Sequence, residues 1–404
     1  MTMLPPLVPV EEIVFRHARC RTLLRTLAPE AGGLLLVSRL SLYYLTGTLG
    51  WGLLWLPLEG EPVLMVRKGR ERALAESPLL HVVSFKSYRE VPDLCADHGS
   101  PLSSVVAVDK NGFSWSMAEM LQSRVGAVRF VAGDAVLTQA RAVKSEWELE
   151  RMRLCGKLHA HVLDEVMPAR IRPGMTEKEI ALTYVEASFA CGGNGLLRMT
   201  AHGEENFFGY ASAGDSGNYP TYYNGPLGCV GLHPAAPFLG SGERCWNEGQ
   251  VLAVDMGFSL AGYATDRTQL YWAGSAIPDD VRRAHDVCIR IFDQASAALK
   301  PGAVPAALWE EACTLAQREG QPGFMGAGAD RVAFLGHGIG LAVDEFPAFA
   351  RGFAAPLEKG MVVALEPKIG LPGIGMVGLE HTFEITESGA RSLTGERREI
   401  ILIS

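Results

Sequence analysis

The sequence predicts an α/β domain over residues 1–142, followed by an α+β domain over residues 143–404 built from two pseudo-symmetric halves. Three observations predict this. Short β-rich runs alternate with helical patterns in the first third, the alternation stops near Ala140, and the remainder carries a weak internal repeat. A length of 404 residues accommodates two or three domains at roughly 150 residues each.

In the first domain, Gly33 to Val37, Pro62 to Val66, His81 to Phe85 and Val105 to Val108 read as strands, and Phe113 to Arg124 reads as a helix. The uncharged stretch Leu40 to Leu58 is long enough to test as a membrane span. Gly47, Gly50, Gly52 and Pro57 interrupt it, Ser41, Thr46 and Thr48 are polar, and Glu59-Gly60 follows as a turn. Two buried strands with a tight connection are therefore expected. Ser145 and Glu148 form a capping-box pattern, so the boundary lies between Ala140 and Ser145. A helix with apolar positions at Trp147, Leu149, Met152, Leu154, Leu158, Val162 and Leu163 is expected to run to about Val166. His159 and His161 on that helix read as surface residues.

The repeat is the most informative feature. Ile171-Arg172-Pro173-Gly174 is echoed by Leu299-Lys300-Pro301-Gly302, each before a helical stretch. The run from Gly249 to Asp255 is echoed by the run from Gly360 to Glu366, and Asp266-Arg267-Thr268 by Glu380-His381-Thr382. Each half thus reads as helix, turn and β-hairpin carrying two carboxylates, and a pseudo-symmetric pairing brings four acids to one place. Asp255 closes an apolar β-like run with Asp266 eleven residues on, and a hairpin puts both on one side of neighbouring strands.

A lone aspartate at a strand end is ordinarily a turn or cap residue, and a lone histidine in a glycine-rich loop is ordinarily solvated. The joint, ordered pattern is what singles these residues out. Four converging carboxylates repel one another unless cations lie between them. Oxygen donors with one imidazole, supplied by His337 on the loop Gly336-His337-Gly338, suit hard or borderline divalent metals, so a dinuclear centre is expected. Two such ions can hold a bridging water, lower its pKa and polarise a carbonyl. The GHGIGL segment lacks the endings of a phosphate-binding loop.

Composition excludes other classes. With 48% hydrophobic and 20% charged residues, disorder is disfavoured, and 45 glycines and 23 prolines without a triplet period are not collagen-like. A net charge of −8 leaves no basic excess for nucleic acid, and no basic amphipathic helix suggests a membrane partner. Eight scattered cysteines without a C-x-x-C pair read as reduced thiols. The N-terminus shows no secretory-signal pattern, so the expected location is cytoplasmic.

The motifs VDMG and ATDRT at Asp255 and Asp266, GHGIGL at His337, LEPK at Glu366 and GLEHT at Glu380 resemble the pita-bread metallohydrolases: creatinase, proline dipeptidase, aminopeptidase P and methionine aminopeptidase. YYLTG at Tyr43 to Gly47 resembles the creatinase-type N-terminal domain, which makes the methionine aminopeptidases a poorer match. The resemblance implies a pita-bread catalytic domain. In it Asp255 chelates one metal, Asp266 and Glu380 bridge both, and His337 with Glu366 completes the second. It further implies Glu366 as general base, His337 as a catalytic participant, and two divalent ions, manganese foremost with cobalt, zinc or iron as alternatives. A homodimer is expected on the same grounds.

The sequence departs from the family pattern at several points. Asp344 stands where family peptidases usually carry a histidine seven residues after the GHG histidine, and Gly378 replaces an arginine two residues before the last glutamate. His381 replaces the aspartate that commonly follows that glutamate, and His233 is the nearest match to an upstream family histidine. The Gly- and aromatic-rich stretch Ala201 to Trp246 reads as a pocket-lining loop, with His202, Tyr222, Tyr223, Asn224 and His233 as substrate-contact candidates alongside Asp344. The leading expectation is a metallopeptidase cleaving the Xaa-Pro bond of dipeptides or short peptides. Hydrolysis or lysis of a small non-peptide compound is the alternative, and a non-catalytic binding module is the third.

Overall fold

Residues 7–200, 205–221, 223–321 and 323–403 are described by a computed structural model, in which the chain divides into two compact units, Met1–Arg141 and Ala142–Ser404. The first unit is built on a six-stranded mixed sheet of β1 (Gly33–Leu36), β2 (Trp51–Pro57), β3 (Val63–Lys68), β4 (His81–Ser84), β5 (Val105–Val108) and β6 (Arg129–Ala132), in the order β4-β3-β2-β1-β5-β6. β1 is central and buried on both faces, which is why it reads as an unbroken apolar run. Leu35, Trp55, Met65 and Val106 meet in the core on one side.

The stretch 40–58 is not two strands. Arg39–Thr46 is a helix, with Ser38 accepting from the Ser41 amide at its start and Gly47 in the left-handed conformation at its end. The strand signal holds only beyond it, in β2. Of the polar residues that argued against a membrane span, Ser41 and Thr46 are buried within this helix, where the Thr46 hydroxyl donates to the Leu42 carbonyl, and Thr48 is buried just beyond its end. No helix of the described residues is long and apolar enough to cross a membrane.

The second unit opens with the helix Glu146–His161, started by a capping box in which Ser145 accepts from the Glu148 amide and Glu148 accepts from the Ser145 amide. The helical path continues through a π-type segment, Val162–Val166, and a short turn, Met167–Arg170. His159 is wholly buried in it, stacked on Phe258 and hydrogen-bonded to Thr265, so it is a core histidine and not a surface one. His161 is half-exposed beside Glu165.

Strands β7 (Gly209–Ala213), β8 (Val251–Met256), β9 (Phe258–Leu260), β10 (Tyr263–Thr265) and β11 (Thr268–Ala273) form the first half. β8 pairs antiparallel with both β7 and β11, and β9–β10 is a small hairpin inserted between β8 and β11. Along β8, Val251 and Ala253 enter one core while Leu252, Val254 and Met256 enter another, the period-two alternation of a strand covered on both faces. The stretch 201–246 is therefore not all loop, because β7 is a fully buried strand within it.

The second half contains β12 (Phe334–Gly338), β13 (Glu345–Ala350), β14 (Val362–Leu365), β15 (Lys368–Leu371), β16 (Gly375–Gly378) and β17 (His381–Ile385). β14 lies between β12 and β17, antiparallel to each, while β15–β16 is the inserted hairpin. The two halves match: β8 with β11 corresponds to β14 with β17, and each pair carries a hairpin at the end where its acids lie. Helices Asp279–Ala298 and Pro305–Arg318 cover the second half through Ile291, Phe292, Leu308 and Ala312. Burying each of the larger side chains, Ile291, Phe292 and Leu308, contributes roughly 1.5–3 kcal/mol relative to exposure.

Candidate metal centre

Asp255 sits on β8, opposite Thr268 in register, and Asp266 lies in the short link between β10 and β11. Glu366 follows β14 directly and Glu380 immediately precedes β17, where Leu365 pairs with His381. His337 lies on strand β12 and not on a loop. Its flanking glycines are required by close neighbours: a Cβ on Gly336 would fall 2.0 Å from the Ala364 carbonyl oxygen, and one on Gly338 2.2 Å from that of Phe346. The glycines that suggested a loop are there because two strands approach the histidine's backbone.

The halves are tied together by their repeat-related threonines. The Thr268 hydroxyl donates to Glu380 Oε2 at 2.9 Å. Thr382 accepts from the Asp266 amide at 2.9 Å and donates to the Asp266 carbonyl at 2.8 Å. Each acid-x-threonine segment therefore anchors the acid of the other.

Asp266, His337 and Glu380 present ligand atoms all within 4.8 Å of one another. His337 Nε2 lies 3.7 Å from both Glu366 Oε1 and Glu380 Oε1. Glu380 Oε1 is buried without a hydrogen-bond partner, a costly state for a carboxylate oxygen that a bound cation would relieve. The donor set of two carboxylates and an imidazole, with Glu366 beside it, fits a divalent metal ion.

Asp255 is held differently. Its Oδ2 lies 3.3 Å from Lys368 Nζ, which also contacts Glu366 Oε2 at 2.9 Å and Glu380 Oε2 at 3.0 Å. Lys368 is 1% exposed and was not singled out from the sequence. The signal was available: on an extended chain a lysine two residues beyond Glu366 points to the same side.

The electrostatics follow from burying these charges together. Burial raises the Asp255 carboxyl to about 6 although Lys368 opposes it, and raises Glu366 to about 7 against the same ammonium. Burial, reinforced by Glu380 and Asp255, pushes Asp266 well above the usual carboxylate range. Burial would lower the Lys368 ammonium, but Asp255, Glu366 and Glu380 together drive it well above the ordinary lysine value. Glu380 stays ionised, since Lys368 and His337 outweigh its burial. Burial would lower His337, but the same carboxylates, Glu380 and Glu366 foremost, raise it to about 10, and four carboxyls still outnumber Lys368 and His337, so protons or a metal must supply the difference.

The acids line a cleft of about 370 Å³ that also takes in Tyr210, Tyr223, Asn224 and Asp344. Tyr223 stacks on Tyr210. Asp344 is engaged, accepting from the Thr200 amide and hydroxyl at 2.7 Å each. His233 is exposed in a tight turn, its Nδ1 accepting from the Ala235 amide, and is absent from this lining. His202 and Tyr222 lie outside the described residues. His381 points away from the cleft to Thr394 and the Arg397 carbonyl.

A two-half fold with carboxylates and a histidine converging between the halves defines a metallohydrolase. The profile of Metallopeptidase family M24 matches residues 150–387 and that of the Creatinase/Prolidase N-terminal domain matches residues 16–143. The chain belongs to Metallopeptidase family M24, in the pita-bread form that carries a creatinase-type N-terminal domain. It is 24% identical over 366 residues to a Xaa-Pro dipeptidase of Pyrococcus furiosus, covering 89% of this chain and 92% of that protein. It is 29% identical over 289 residues to a probable dipeptidase PepE of Mycobacterium tuberculosis, covering 70% and 66%. The fold is shared with dipeptidase PepE of Mycobacterium ulcerans (TM-score 0.79, 24% identity, 98% of this chain and 100% of that one). It is also shared with an X-Pro aminopeptidase of Thermotoga maritima (TM-score 0.77, 23% identity, 95% and 99%).

Proposed function

We propose that the protein hydrolyses the amide bond before proline in dipeptides or short peptides, with a divalent metal held by Asp266, His337 and Glu380. The observation that carries this reading is the convergence of those three ligand groups around a buried, unpartnered Glu380 oxygen, with Glu366 alongside. The names of the relatives support the substrate class. Manganese is the proposed ion, because the set is mostly hard oxygen. All eight cysteines are free, which supports a reducing, cytoplasmic compartment.

When bound, the ion supplies Lewis acidity to the scissile carbonyl and acidifies a water. The remaining steps belong to the chain. Glu366, beside the ligand cluster with its Oε1 3.7 Å from His337 Nε2, is the group placed to take a proton from the attacking water. Tyr223, Asn224 and Asp344 line the side of the cleft where the substrate's flanking groups are placed. A small non-peptide C–N substrate is the second reading. It is favoured by Asp344, which occupies the family histidine's position and is committed to Thr200.

The test is hydrolysis of a panel of Xaa-Pro dipeptides and Xaa-Pro-Yaa tripeptides, with manganese or chelator and with Glu366→Ala. Turnover that requires metal and falls by at least about 100-fold in the variant is expected from loss of a general base. Absence of turnover in every metal condition, from metal-loaded protein, would shift the assignment to the non-peptide substrate.

A further inference from the structure

We infer that the Lys368 ammonium occupies a second cation position in this centre, so that each chain holds one divalent ion where the sequence motifs suggest two. The inference rests on the metal-site reading above but not on the identity of the substrate.

Lys368 Nζ is held by three carboxylates, Asp255, Glu366 and Glu380, and is sealed from solvent. The two oxygens of Glu380 are used differently: Oε1 lies 3.7 Å from His337 Nε2 without a hydrogen-bond partner, while Oε2 accepts from both Lys368 and Thr268. A bridging role for Glu380 needs Oε2 free, and it is not. Asp255 has its Oδ2 on the ammonium, and it does not belong to the ligand cluster that Asp266, His337 and Glu380 form among the described residues.

The fold makes a lane for this side chain. Lys368 pairs with Gly378 across the β15–β16 hairpin. A Cβ on Gly378 would lie 2.9 Å from Lys368 Cγ and 2.2 Å from the Pro367 carbonyl oxygen, and Gly378 has φ +144°, so no L side chain fits there. Gly378 thus leaves the space on the opposite strand that the Lys368 side chain passes through. In the first half the position two beyond Asp255 is Gly257, so only one half inserts a cation. The four carboxylates Asp255, Asp266, Glu366 and Glu380 with one ammonium leave an excess of negative charge that a single divalent ion largely offsets. A second would have to share Asp255 and Glu380 with the ammonium at like-charge contact distance.

The experiment loads the full chain with excess Mn²⁺, removes unbound metal by gel filtration, and measures manganese per chain by plasma mass spectrometry alongside the Mn(II) EPR spectrum. Wild type is expected to hold one ion and show the hyperfine-split signal of isolated Mn(II). Lys368→Met and Lys368→Gln are expected to hold two, with an exchange-coupled signal. Two ions in wild type would overturn the lysine inference and leave the metalloenzyme reading standing, whereas no ion in wild type would overturn both. One ion in wild type and in a folded variant would show that Lys368 is not what excludes the second ion, and would also overturn it. If circular dichroism shows both variants unfolded, the wild-type count decides alone.

Discussion

The two halves of the catalytic unit are built alike and differ in what each does with its buried cation. Asp266-Arg267-Thr268 and Glu380-His381-Thr382 are repeat-related, and their outer positions behave as a pair: each acid faces the cleft and each threonine reaches the other half. The first half sends its cation away from the cleft, with Arg267 forking onto Asp164 at 2.7 and 2.9 Å. The second half sends Lys368 inward onto three lining carboxylates. Positions that cross between halves stay matched because each completes the other's hydrogen bonds. Positions that make no such crossing differ between the halves: Arg267 has His381 as its counterpart, and Lys368, two residues beyond Glu366, has Gly257.

Breaking the outward pair is expected to have the larger effect on stability. Arg267→Met removes a wholly buried guanidinium and strands Asp164, which keeps only the partly exposed Arg397 at 3.1 Å. A loss of about 3 kcal/mol is expected from urea midpoints, and it should be the same with and without manganese. Lys368→Met differs in kind. Without metal it leaves three facing carboxylates, but Asp255 and Glu366 already titrate high and can take up protons, so the loss should be nearer 2 kcal/mol. Manganese should recover it, raising the variant's Tm by more than it raises that of wild type. Equal metal responses in the two proteins would erase the distinction between the halves.

Each half also buries a histidine close to the seam of repeat-related acids, His159 in the first and His381 in the second. Burial, reinforced by Arg267, holds both down to about 3. The unfolded chain binds protons on these groups near 6.5 and the folded chain does not. Stability is therefore fully present above pH 6.5 and falls as pH drops from there toward 3, by up to about 1.4 kcal/mol per pH unit per histidine. The difference in ΔG between wild type and His159→Gln should change with pH over that window and be flat above it. A difference that stays constant down to pH 4 would mean that His159 is protonated in the folded state.

How much of this was legible depends on the kind of signal. That the four acids and His337 line one cleft was legible because chemistry imposes residue type and order, and the repeat supplied a second copy as a check. Strands β1 to β5 of the first unit were legible as apolar runs, β6, Arg129–Ala132, was not, and Arg39–Thr46 was missed because its cap residues, Ser38 and Gly47, resemble loop punctuation within an apolar run. His159 read as surface because polarity was taken as exposure, while its Nδ1 bonds Thr265, 106 residues away, and its ring stacks on Phe258. His233 was chosen by nearness in sequence, and the turn it occupies points it outward. Lys368 was missed although it stands inside a quoted motif, because LEPK was read for its glutamate alone.

The smallest expected difference between the halves lies at their helix starts. In the first half, Glu177–Ala190 begins with a full capping box. Thr176 Oγ1 accepts from the Glu179 amide at 3.2 Å, and Glu179 Oε2 accepts from the Thr176 amide at 2.8 Å. Its counterpart in the second half, Pro305–Arg318, has Val304 at the cap and no side-chain hydrogen bond, and relies on Pro305, whose fixed φ suits the first helical position. Thr176→Ala removes one partner of two amide donors and should cost about 1 kcal/mol in urea unfolding. Val304→Ala removes no cap and should change stability only through the methyl groups it deletes from a half-buried site. A Thr176→Ala cost indistinguishable from zero would mean that the Pro173-Gly174 turn, echoed by Pro301-Gly302 before the other helix, already fixes the helix start in both halves, and that the capping box adds nothing the repeat did not supply.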